Sequence, residues 1–360
     1  MKYLLSLLCL LFVLPVKSSP QEWRYIHPYK GVNIYTTTIL SYDNNIFKYS
    51  KNDIDKFVDN IEPYKYPIET YDDLITTIQL HSKITSELID SSPTTFNLKI
   101  KGNLYLQNKE KDYESFSISI YQKLARFGNT LIKYLFIPEY FIRYYPDFDI
   151  ITPYGYPYYT GCYFSKHYIM WQSGYRAFGS INMSVFASGE KDDYNSNFDE
   201  YDTQKAGFGF SVNRTFHEII TPSIFYSFTR AIANATDESG ENKDTSDDSD
   251  ISNDEDEISL ALKFDLTDKA PLTFLTGFRF TKRVYTTDKP ILCDPYHSGR
   301  EDVTIDIDLS TSITPTPRLT FDLGYTLQTK SVSSPFDITQ MEEIKNYSRS
   351  MYSAAITFSY

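Results

Sequence analysis

Arg349-Ser-Met-Tyr-Ser-Ala-Ala-Ile-Thr-Phe-Ser-Tyr360 is written on a two-residue repeat. Side chains along an extended strand point alternately to opposite faces. Tyr352, Ala354, Ile356, Phe358 and Tyr360 therefore share one face, and Ser353, Ala355, Thr357 and Ser359 the other. One face is oily and aromatic, the other small and hydroxyl-rich, and the sequence stops on the aromatic face. An open soluble sheet seldom finishes this way. A sheet that curls until its last strand pairs with its first does so naturally when hydrocarbon lies outside, because no backbone N–H or C=O can be left unpaired there.

The same period recurs upstream. Residues 32–40, 76–84, 96–106, 116–120, 129–145 and 162–175 give six candidate strands, the second, fifth and sixth of them blurred. Residues 181–185, 208–212, 224–228, 258–266, 272–284, 303–309, 319–327 and 352–360 give eight cleaner ones. In 319–327, for example, Leu319, Phe321, Leu323, Tyr325 and Leu327 alternate with Thr320, Asp322, Gly324 and Thr326. The connections alternate in length through much of the chain, the turn near 88–94 being middling and the connection at 108–114 short for its class. Long ones cover about 43–73, 146–161, 189–203, 234–256, 286–301 and 331–347, while short ones fall near 126–129, 177–179, 217–221, 267–271 and 315–318. This pattern predicts an all-β fold, a transmembrane up-and-down antiparallel β-barrel of about fourteen strands, with twelve to sixteen compatible. A secreted sandwich or solenoid would leave both the terminal strand and the alternating connections unexplained.

The final strand resembles the C-terminal strand of bacterial outer-membrane β-barrel proteins, a porin-like class, and the resemblance extends in generic form over nearly all of the exported chain. It implies that Tyr352, Ile356, Phe358 and Tyr360 are an assembly signal read by the barrel-assembly machinery. It also implies outer-membrane lipid and lipopolysaccharide as surroundings, in a Gram-negative-type bacterium. The N-terminus agrees with export. Met1-Lys2 is a positive start, residues 3–16 are almost wholly apolar, and Val16 and Ser18 occupy the small-residue positions of a cleavage site. Residues 1–18 are expected to be a signal peptide, 19–31 a short periplasmic tail and 32–360 the barrel. Cys9 lies inside the apolar run and does not have the placement of a lipid-attachment cysteine.

Composition fits this setting. The chain has 32 Tyr and 25 Phe against 2 Trp, and tyrosine suits a water–lipid boundary. The net charge of -12 is concentrated: eleven acids and one base, Lys243, fall between Thr236 and Glu257. That acidic stretch, about 235–257, lacks apolar periodicity and is expected to be a disordered outer loop. Asp248 and Asp250 do not match an EF-hand spacing. Nucleic acid is excluded as a partner by the charge. No HExxH, GxSxG or Walker pattern occurs, and His297-Ser298 has no obvious acidic orienter, so neither an enzyme, a metal site nor a cofactor is expected. Cys162 and Cys293 are too few for a disulfide framework.

With the apolar face turned to lipid, the opposite face lines the interior. Lys99, Lys101, Lys133, Arg143, Lys263, Arg279 and Arg283 would line it together with Asp306, Asp308 and Asp322. Two outer loops carry helical spacing: Ile54, Phe57, Val58 and Ile61 after Asn52-Asp53, and Ile338, Met341 and Ile344 after Pro335. Closure would make these loops neighbours over the mouth. The leading function is passive diffusion of small solutes through a porin-like channel. The alternative is a non-transporting surface barrel, an adhesin, host-interaction scaffold or envelope-assembly factor, and conductance across a planar bilayer separates the two.

Overall fold

A computed structural model describes residues 29–360 apart from 90–91, 125–127, 152, 154, 156, 178–180, 238–239, 241, 244–245, 247, 267–270 and 336–339. The expected signal peptide and most of the expected tail thus lie outside the described residues. Fourteen strands follow one another: β1 (Tyr29–Asp43), β2 (Asp73–Ile89), β3 (Ser92–Tyr105), β4 (Tyr113–Leu124), β5 (Gly128–Ile151), β6 (Pro157–Ala177) and β7 (Ile181–Tyr194). The second half comprises β8 (Thr203–Arg214), β9 (Ile220–Ala233), β10 (Asn253–Asp265), β11 (Leu272–Tyr285), β12 (Glu301–Thr316), β13 (Leu319–Ser333) and β14 (Tyr347–Ser359). Each pairs antiparallel with its sequence neighbours, and β14 pairs with β1 to close the barrel. Strand β1 starts at Tyr29, so the last three residues assigned to the tail belong to the wall.

The closing seam is a full ladder from Tyr35↔Ser359 to Asp43↔Met351. At one end the Tyr360 amide donates to the Ile34 carbonyl at 2.9 Å. At the other, Arg349 donates through Nε and Nη2 to Asp43 Oδ2, at 2.8 and 2.5 Å. The Asp43 carboxylate is 1% exposed, and its Oδ1 accepts the Asn45 amide. The seam is therefore held by charge at its outer end as well as by backbone.

Alternation sets the two faces. On β14 exposure alternates residue by residue from Met351 onward, with Tyr352, Ile356, Phe358 and Tyr360 outward. Leu323 and Phe208 are 59% and 58% exposed, and the other outward apolar residues form a continuous belt with them, including Ile118, Ile169, Val185, Ile224 and Leu260. A soluble monomer does not leave apolar surface on this scale open to water. Ion pairs mark the outer rim of the belt: Arg230 with Asp254 on β9 and β10, and Lys282 with Glu301 on β11 and β12.

Two expectations about the connections need correction. Residues 146–161 were expected to be a long loop. Instead β5 and β6 run for 24 and 21 residues and leave five between them, because both strands project past the rim. The acidic stretch is not a disordered loop in its described part. Asn253–Glu257 belong to β10, and Asp254 and Asp256 turn outward to Arg230 and Tyr226 while Glu255 turns inward to Arg283. Beyond them, in the outer loop, Asp250 is buried, and its amide donates to Asp294 Oδ2 at 2.8 Å. The buried Lys289 ammonium donates to the carbonyls of Ala235, Ser246 and Asp248. Acidic composition did not prevent order in this part, because Arg230 and Arg283 of neighbouring strands take up the charge of Asp254 and Glu255, while Lys289 gathers the backbone carbonyls of the loop.

The loop between β1 and β2 folds over the mouth. Its helix α1 (Lys51–Val58) is capped by Ser50, whose Oγ accepts the Asp53 amide at 3.0 Å, two residues before the cap expected from Asn52-Asp53. Ile54 and Phe57 pack onto Phe47, Tyr49 and Tyr66. Val58 and Ile61, which shared the helical spacing, face solvent. The second helix, α2 (Met341–Lys345), buries Met341 and packs against α1; Ile338 lies outside the described residues. Asp73 anchors the base of the β1–β2 loop to the next connection, accepting the amides of Leu106, Gln107 and Asn108 at 2.8–3.1 Å.

Lys111, between β3 and β4, is buried beneath this assembly. Its ammonium donates to the carbonyls of Phe141 and Ile142, at 3.0 Å each, and sits over the rings of Phe47, Tyr140 and Phe141. Burial pushes it down from 10.5 to about 7. The unfolded chain keeps the proton to the higher value, so folding releases it across that interval, and stability should rise with pH between about 7 and 10.5. Below that window both states are protonated and the cost of burying charge is fully present. Urea midpoints measured across this range should climb in the wild type, and Lys111→Met should remove that component of the slope.

Candidate functional site

Register places all ten lumen candidates on the inward face. Lys99 and Lys101 stand opposite His81 and Gln79 of β2, and Lys133 opposite Ser119 of β4. Arg279 pairs in register with Asp306, and Gly277 with Asp308; Arg283 meets Glu255 of β10, and Lys263 meets Asp265. Asp322 faces Ser312. Lys83, opposite Asn97, belongs to the same face and was overlooked because the second strand is blurred in sequence.

Arg143 reaches the interior by an unexpected route. Register slips by one residue between Ile137 and Tyr140, and again between Phe141 and Arg143. Each bulge reverses the faces, so Tyr140, which unbroken alternation would put outward with Ile132 and Tyr134, turns inward. The second bulge restores the original phase at Arg143. Its guanidinium lies over the rings of Tyr145 and Tyr49, at 4.9 and 5.6 Å.

Charge is distributed unevenly around the wall. On β6–β8, Lys166 and Lys205 are matched by Glu190 and Asp192, at 2.5–3.2 Å. On β10–β13, Asp302 takes both Arg300 and Lys330, Glu255 takes Arg283, and Asp306 and Asp308 accept from Gln328 and Thr326. On β3 and β5, Lys99 lies within electrostatic reach of Lys101 and Lys133, and none of the three has an ion pair among the described residues. An apolar rib separates the walls elsewhere: Phe186 and Phe225 stack at 5.3 Å across Gly209, where a Cβ would collide with the Phe186 ring and the Tyr226 carbonyl.

The lumen opens into a chamber of about 530 Å³ at its outer end, bounded by α1 and α2 above and by strands from both sides of the barrel. Arg143, Arg283, Arg300, Lys330 and Lys345 contribute to its lining, with Asp53 as the lining carboxylate. Lys345 of α2 lies over the Tyr145 ring at 5.6 Å. Burial, with Arg143, Arg300 and Lys330 nearby, pushes the Lys345 ammonium well below its ordinary value. A polar recess of about 370 Å³, lined in part by Lys123, Asn129, Gln172 and Asn182, occupies the short-turn end.

His297 also lines the chamber, and it does have the acidic orienter that the sequence reading missed. Its Nδ1 lies 2.9 Å from Asp294 Oδ1, three residues back, and its ring packs on Tyr285. Burial lowers its proton affinity below the usual histidine value. Asp294 also takes the Asp250 amide, so the pair ties two outer loops together. Cys162 is a buried free thiol and Cys293 an exposed one.

A closed up-and-down barrel with an apolar outer belt and a polar, charged interior is the architecture of the outer-membrane β-barrel class. Similar solved structures include the anion-selective porin from Comamonas acidovorans, with a TM-score of 0.43, 8% identity and coverage of 92% of this chain and 99% of that one. OmpT of Vibrio cholerae, in its trimer form, gives 0.45 and 8% over 92% and 99% of the two chains. OprD of Pseudomonas aeruginosa gives 0.39 and 8% over 91% and 95%. No family model and no curated protein matches the sequence.

Proposed function

We propose that the protein is a non-enzymatic, porin-like channel of the outer membrane that passes small solutes and favours anions. The carrying observation is the unmatched positive charge along one continuous path. Lys99, Lys101 and Lys133 stand on the lumen wall without carboxylate partners among the described residues, and the Arg143 guanidinium stands above them in the chamber. The remaining walls are close to neutral, because their acids are already engaged. A small anion entering the chamber meets fixed cations and tyrosine rings in a confined space, where low-dielectric walls focus the field.

The test is conductance in planar bilayers under a salt gradient. The wild type should pass current, with a reversal potential of the sign set by anion flux. The triple variant Lys99→Glu, Lys101→Glu, Lys133→Glu should bring that potential to zero or reverse it while current persists. A correctly folded barrel that passes no current would sink the channel reading and leave the surface-scaffold alternative.

A further inference from the structure

Away from the lumen, two outer loops bring three carboxylates together. Asp199 and Glu200 lie in the short 3-10 turn before β8, and Asp237 lies in the connection after β9. Each offers one oxygen, and these oxygens all lie within 4.8 Å of one another. We propose that this trio is a binding site for a calcium-sized divalent cation that clamps the β9–β10 loop onto the β7–β8 loop.

An independent observation points to a missing ligand. Glu200 is 9% exposed, and its Oε2, like Asp199 Oδ1, is wholly buried with no hydrogen-bond donor. Neither Asp199 nor Glu200 has an ion pair among the described residues, and Lys289, which reaches the same β9–β10 loop, directs its hydrogens at three backbone carbonyls. A buried carboxylate oxygen with neither a donor nor a counter-charge is strongly unfavourable. A hard divalent cation removes that cost directly. Ca²⁺ takes oxygen ligands at about 2.3–2.6 Å, so two oxygens on one ion are at most ~5 Å apart, which suits the spacing here. Mg²⁺ holds a stricter octahedron and gives up its water reluctantly, so three carboxylates from two loops favour the larger, more permissive ion.

The scaffold is set without the ion. The Ala235 amide donates to the Glu200 carbonyl and the Asn234 amide to the Asp202 carbonyl, both at 2.8 Å, which fixes the two loops against each other. Asp237 is held at its amide by Asp248 Oδ2, at 3.1 Å. The ligands thus arrive on backbones already docked, and the ion supplies charge rather than shape. Consecutive acids in the 237–257 run are not what makes the site, since two of its three ligands come from a different loop.

The experiment uses the full barrel folded in detergent and titrated with Tb³⁺, exciting the tyrosines. Tyr201 adjoins Glu200 and is the expected sensitiser. The wild type should show saturable Tb³⁺ emission that Ca²⁺ displaces and that Mg²⁺ displaces at least tenfold less well. Glu200→Gln and Asp199→Asn, checked for unchanged heat-modifiable migration, should each weaken Tb³⁺ binding at least tenfold. Ca²⁺ should raise the urea midpoint of the wild type and not of either variant. Equal Tb³⁺ affinity in wild type and variants, or a Ca²⁺ effect reproduced by monovalent salt at matched ionic strength, would overturn the proposal.

Discussion

Arg349→Ala should be the most damaging single substitution in the barrel wall, at a cost of about 3–5 kcal/mol. It strips the double donor from Asp43, which is 1% exposed and has nowhere to go, leaving a buried carboxylate at the outer end of the closing ladder. The penalty comes from isolating that charge more than from losing the pair's attraction. Asp43→Leu combined with Arg349→Met should therefore recover most of the loss, since two well-packed apolar groups are often as good as a buried ion pair. Heat-modifiable gel migration and urea midpoints would read both effects. If Arg349→Ala folds with an unchanged midpoint, the outer seam does not depend on charge.

Leu260→Arg should cost about 2–4 kcal/mol, the range for a cation on the lipid face of a barrel near the bilayer midplane. Leu260 faces outward halfway along β10, between Ile224 and Phe278. The next residue, Ala261, faces inward between Ser223 and Gly277, where small neighbours leave room. Ala261→Arg should change stability by under about 1 kcal/mol. The contrast between adjacent positions, measured as unfolding in lipid vesicles, separates a lipid belt from an apolar face covered by protein. Equal costs at both positions would refute the belt.

Strand number and facing were readable because both follow from a local, two-residue period that the pleat imposes. The ladder from Leu319 to Leu327 shows it most cleanly. The paired bulges in β5 were only half readable. Pro138 marks the first slip, since a proline cannot donate to the ladder and sits within strands at bulges; nothing in the sequence marks the second, between Phe141 and Arg143, where Phe141 packs beneath a loop some ninety residues upstream. Of the lumen candidates, those on uninterrupted strands were placed by alternation alone, whereas Arg143 reached the interior through two errors of phase that cancel. The Asp294–His297 pair, the Ser50 cap and the carboxylate trio escaped for related reasons. Each depends on how a loop folds back, which has no periodic signature.

The two short helices over the mouth hang from the connections that flank the closing strands, one after β1 and the other before β14. They touch each other only when those strands are side by side. The ceiling of the outer vestibule is thus contingent on circular closure: a partly inserted chain, still agape, has half a lid on each lip. Completion of the cylinder and roofing of its entrance are one event.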